Sequence, residues 1–84
     1  MPDVSRQTYL TRIDEQANQN RYYSMRIDPD LFGRWTLVRQ WGRLDAGGGA
    51  LRMDSFEREE DAIDQLATIT RQKLKRGYLD TGES

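Results

Sequence analysis

Residues 34–49 read "RWTLVRQWGRLDAGGG", and the first eleven of them decide the fold. Aromatic and branched side chains crowd a stretch of strand length, and the Asp-Ala-Gly-Gly-Gly that follows breaks it. At a period of two, Leu37, Arg39, Trp41 and Arg43 share one side while Val38, Gln40 and Leu44 share the other. Upstream, "RYYSMRI" (21–27) alternates in the same way, with Tyr23, Met25 and Ile27 on one face and Tyr22, Ser24 and Arg26 on the other. The two runs are joined by "DPDLFG" (28–33), in which Pro29 sets φ and Gly33 can turn left-handed, so they are expected to be antiparallel neighbours. "TYLTRI" (8–13) is a further strand, connected by "DEQANQN" (14–20), and "ALRMDSF" (50–56) completes a four-strand meander.

From residue 57 the period changes. Ala62, Ile63, Leu66, Ile69 or Thr70, and Lys73 or Leu74 recur every three to four residues, which predicts an amphipathic helix over 57–76. Glu59, Glu60 and Asp61 suit the positive end of its dipole, Lys73, Lys75 and Arg76 the negative end, and Gly77 is placed to stop it. The expected fold class is α+β: an antiparallel sheet of four or five strands in a meander, with one C-terminal helix packed on one face. One domain is expected over residues 8–78, with a flexible leader at 1–7 and a flexible tail at 79–84.

Composition narrows the chemistry. A domain drawn from 84 residues has little room for a deep catalytic pocket. It has neither Cys nor His, which excludes disulfides, thiolate nucleophiles, imidazole bases and His-type metal sites. No apolar run reaches membrane-spanning length and "MPDVSRQTYL" lacks a signal-peptide core, so a cytoplasmic location is expected. The net charge of -1 conceals a strong segregation. Residues 21–53 hold six Arg against three Asp, residues 54–66 six acids against one Arg, and residues 67–79 four bases and no acid. A nearly neutral chain can therefore present a basic face, and local sign is what a phosphate senses.

Trp41 standing between Arg39 and Arg43 has two readings. It is either a half-buried core aromatic with Arg39 stacked on it, or a platform on which a sugar or base stacks while guanidinium forks take phosphate oxygens. Pattern alone ranks the core reading first. The three glycines at 47–49 lack the Lys-Ser/Thr and the following helix of a phosphate-binding P-loop, so they read as a hairpin loop. The acids between Asp54 and Asp64 lie mostly in a helix first turn, and no metal or cofactor is assigned to them. In "RQKLKR" (71–76), Arg71 and Lys75 share a helix face with Arg76 nearby, a candidate phosphate stripe. No pair of acids is spaced for catalysis, so no enzyme activity is expected.

At Trp41-Gly42-Arg43 the chain resembles the WGR domain, a family named for that tripeptide. Its members occur in DNA-dependent poly(ADP-ribose) polymerases and in bacterial proteins, including short single-domain ones. The resemblance extends in order over about residues 8–78. "NRYYSMRI" is similar to the family's basic-aromatic-Tyr strand, "WTLVRQWGRL" to its signature strand, "FEREEDAIDQL" to its helix start and "KLKRGY" to its closing Lys-x-x-x-Gly-Tyr. It implies an antiparallel sheet packed by one helix, and a non-catalytic module that binds nucleic acid, in the polymerases DNA near a strand break. It also implies protein contacts, so an adaptor using Trp41 as an interface anchor is the alternative. By position, Trp41 would meet a terminal sugar and Arg43 a phosphate or a partner, with Gly42 joining them and Arg39 added from strand geometry. Two positions depart from the family pattern: Asp45 stands where Gly is common, and Leu66 where an aromatic is common. No catalytic domain accompanies the motif, so ADP-ribosyl transfer is not implied.

Overall fold

Local side-chain chemistry closes the first two hairpins, and β1 and β2 outrun their sequence-predicted limits because of it, while β3 stops one residue short at each end and β4 keeps its expected span. In the computed structural model, which describes residues 6–80, β1 (Gln7–Asp14) and β2 (Gln19–Pro29) pair antiparallel from Gln7↔Arg26 to Asp14↔Gln19. The predicted seven-residue connection shrinks to a tight turn. Asp14 accepts a hydrogen bond from the Ala17 N–H, and Asn18 takes the left-handed conformation at φ 55° that Asn tolerates. β3 (Trp35–Arg43) returns along β2, from Pro29↔Trp35 to Arg21↔Arg43. Here Asp30 closes the turn, its Oδ1 accepting from the N–H groups of both Phe32 and Arg34 at 2.8 Å, while Gly33 supplies φ 79°. Pro29 ends a strand instead of setting the turn.

β4 (Ala50–Phe56) pairs with β3, and helix α1 (Glu59–Lys75) then crosses the sheet. A fifth strand, β5 (Leu79–Asp80), pairs with β1, giving the order β4-β3-β2-β1-β5. The first four strands are the expected meander. β5 lies in the stretch expected to be a flexible tail, and β1 begins one residue inside the expected leader. Both gains satisfy backbone groups that the sheet edge would otherwise leave unpaired. The rest of the leader and tail, 1–5 and 81–84, lies outside the described residues.

The helix covers one face. Ala62, Leu66 and Ile69 are buried against Leu10, Tyr23, Met25, Ile27 and Leu37, with Trp35, Trp41, Phe56 and Ile63 packed around them. Leu10 and Leu37 are completely buried, and each contributes about 1.5–3 kcal/mol in apolar transfer. The helix stops in a two-bond motif: the Tyr78 N–H donates to the Lys73 carbonyl and the Gly77 N–H to that of Leu74, with Gly77 at φ 98°. This reversal turns Tyr78 back into the core beside Lys73, which shapes the site.

Candidate nucleic-acid interface

The register of β2 against β3 sets Tyr23 opposite Trp41 and Arg21 opposite Arg43, all on the helix-covered side. The Tyr23 and Trp41 rings stack across the strands, with centroids 5.4 Å apart and planes 13° from parallel. Trp41 is half-buried, so one part of the indole belongs to the core and the rest remains open. The last helical turn brings Lys73 over the same tyrosine, its Nζ 4.5 Å from the Tyr23 centroid and 5.4 Å from that of Tyr78. These residues frame a cleft of about 360 Å³ lined by Arg21, Tyr23, Trp41, Gly42, Arg43, Lys73 and Tyr78.

Three cations therefore face one opening. Arg21 and Arg43 are like charges directly opposite each other on adjacent strands, an arrangement that costs stability unless an anion joins them. Burial holds the Lys73 ammonium below its ordinary pKa, and the positive charges of Arg76, Arg39 and Arg21 lower it further. The counter-charge in contact with Arg43 is Asp45, whose Oδ1 and Oδ2 accept from Nε at 3.1 Å and from a terminal guanidinium nitrogen at 3.4 Å. Those hydrogen bonds hold the exposed Asp45 carboxyl below the usual carboxylate range. Asp45 thus masks Arg43.

Arg39 is not part of this cleft. Its side chain is only 15% exposed and donates to Asp54 at 3.1 Å and to the Tyr23 hydroxyl at 3.4 Å, so it braces β4 and orients Tyr23. The cation over an aromatic ring is Lys73 on Tyr23, in place of the expected Arg39 on Trp41. From the "RQKLKR" run it is again Lys73 that enters, while Arg71 donates to Thr68 one turn back. Sequence reasoning passes over Arg21, Tyr23, Lys73 and Tyr78 as site residues. Lys73 carried a signal, since it extends the buried series Ala62, Leu66, Ile69 by one more turn.

Gly42 has a structural duty. A Cβ there would come within 3.2 Å of the Gly49 Cα, and one on Gly49, at φ 133°, within 2.5 Å of the Trp41 carbonyl oxygen. The glycine loop folds back on the Trp-Gly-Arg backbone, and the Tyr22 hydroxyl donates to the Gly48 carbonyl at 3.5 Å. That loop is the hairpin turn its sequence suggests. Among the described residues, no cluster of three potential metal ligands occurs, and no helix is long and apolar enough to cross a membrane.

A family model described as "WGR domain" matches residues 6–84. The chain belongs to the WGR domain family. Among similar proteins, an uncharacterized protein, y4dW, of Sinorhizobium fredii (strain NBRC 101917 / NGR234) is 44% identical over 70 residues, covering 83% of this chain and 34% of that protein. A poly [ADP-ribose] polymerase of Sarcophaga peregrina is 31% identical over 61 residues, covering 71% of this chain and 6% of that protein. This WGR domain therefore spans only a third of the first relative and a small part of the second. No solved structure matches the chain significantly.

Proposed function

We propose that this WGR domain is a non-catalytic nucleic-acid-binding module, directed at DNA ends or nicks, whose binding surface is the Trp41 cleft. The observation that carries the reading is the convergence of Arg21, Arg43 and Lys73 around a half-open indole. Such a cleft offers a stacking surface for a sugar or base and donors for the adjoining phosphates. The similarity to a poly [ADP-ribose] polymerase supports it. In this reading Trp41 and Arg43 make the contacts, Gly42 lets the glycine loop pack behind them, and Arg39 acts at one remove by fixing Tyr23.

Titration of labelled duplexes with and without a 5′-phosphorylated nick tests it, using wild type and Trp41→Ala. Tight, nick-favoring binding by wild type that Trp41→Ala loses is the expected result. Equal weak binding by both proteins to every duplex would sink the reading.

A second reading is an interaction adaptor anchored by Trp41. It is favoured by the half-open Trp41 indole with Arg21 and Arg43 at its rim, an aromatic anchor in a polar surround. A stoichiometric protein partner retained after nuclease treatment, and lost with Trp41→Ala, would establish it.

A further inference from the structure

The two edges of the sheet are treated differently. At one edge β5 caps β1; at the other, β4 runs for seven residues as the terminal strand. Edges of this length are usually blunted by proline, a bulge or a row of like charges. β4 contains no proline, and its only two charged residues, Arg52 and Asp54, are opposite in sign and two positions apart on the same face. On its other face Leu51 and Met53 are both more than half exposed.

That pattern is self-complementary. We propose that β4 pairs antiparallel with β4 of a second copy of this chain, about a two-fold axis through Met53. Met53 is the central residue of Ala50–Phe56, so this is the register in which all seven residues find partners. It sets Arg52 opposite Asp54 of the second copy, and Asp54 opposite its Arg52. Two opposite-charge cross-strand pairs form, and no like charges meet. Shifting the axis to Arg52 or to Asp54 would place like charge on like. On the open face Met53 meets its own copy and Leu51 meets Ser55, so apolar side chains now exposed are covered. The axis stands perpendicular to the sheet, as in any antiparallel pair, so both Trp41 clefts lie on the same face of one ten-stranded sheet. The surface buried by one strand pair is below that of permanent dimers, so the association is concentration-dependent.

The test exploits the absence of cysteine from the chain. Under mild oxidation of the DNA-free protein, Met53→Cys juxtaposes two thiols across the axis within disulfide reach. Leu51→Cys does not, so the first is expected to cross-link about tenfold or more faster than the second. A mixture of Leu51→Cys and Ser55→Cys should form the hybrid dimer. In sedimentation from micromolar to near-millimolar concentration, wild type should shift from monomer to dimer. Met53→Lys, with an unchanged circular dichroism spectrum, should stay monomeric. Monomeric wild type throughout, or equal cross-linking rates for Met53→Cys and Leu51→Cys, would overturn the proposal, and neither result bears on the Trp41 cleft.

Discussion

Salt dependence separates the arginines that face the cleft from the one that braces it. Arg21, Arg43 and Lys73 line the opening, so in the proposed complex up to three phosphate charges would be neutralised there. For duplex DNA each neutralised phosphate contributes about -0.9 to the slope of log affinity against log salt, so these three give about -2.7. Between about 50 and 200 mM salt that slope should cost wild type roughly 40-fold in affinity. Arg43→Gln removes one contact, leaving a slope near -1.8 and a loss of only about 12-fold over the same range. Arg39→Gln should leave the slope unchanged, because that guanidinium is turned to Asp54 and Tyr23. It should instead lower unfolding stability by about 0.5–1.5 kcal/mol, since the partly buried Asp54 loses one of its two arginine partners and keeps Arg52. Fluorescence anisotropy at four or five salt concentrations, with urea denaturation of each protein, measures both quantities. An unchanged slope for Arg43→Gln, or a slope shallower by about one unit for Arg39→Gln, would refute the assignment.

Other substitutions probe the surroundings. Asp45→Asn should bind duplex more tightly than wild type at neutral pH, because it unmasks Arg43. The Asp45 pKa is lowered from 3.8, so the Arg43 pair is intact above that value and is lost only as pH falls through the lowered one. The advantage of Asp45→Asn in a binding titration should therefore persist through mild acid and close below it; equal affinity at neutral pH would count against masking. Gly49→Ala should destabilise by about 1–3 kcal/mol or more, from its φ and its approach to the Trp41 carbonyl, whereas Gly47→Ala should stay within about 0.5 kcal/mol in thermal denaturation. Trp41→Ala should lose about 2 kcal/mol of stability as a half-buried aromatic, and a further 1–3 kcal/mol of binding as a stacking surface. Wild-type affinity at unchanged salt would exclude the stacking role.

The alternation of Tyr23, Met25 and Ile27, and of Leu37, Arg39, Trp41 and Arg43, was sufficient to define the sheet faces, because period two is an unavoidable property of a strand. The helix was legible for the same reason at its own period. β5 was not, since two residues carry no period and pair only because β1 is already in place. The cleft was half legible. Trp41 and Arg43 stand in the signature, but Arg21 and Lys73 reach it through cross-strand register and through the turn at Gly77, which are tertiary facts. Arg39 shows the converse. Strand geometry put it on the correct face, yet Asp54, fifteen residues away, decides where its guanidinium points.

Lys73 links the cleft to solvent protons. Packed between Tyr23 and Tyr78, its ammonium is held below the ordinary lysine value by burial and by neighbouring cations. A phosphate bound in the cleft as proposed would supply the opposite charge and lift that value back. At alkaline pH, where the lowered Lys73 begins to lose its proton, binding of a phosphate should be accompanied by proton uptake. The heat of binding there should vary with the ionisation enthalpy of the buffer, and affinity should decline as pH rises. The burial that positions the amine would thus make the occupied and empty cleft differ in their protonation at alkaline pH.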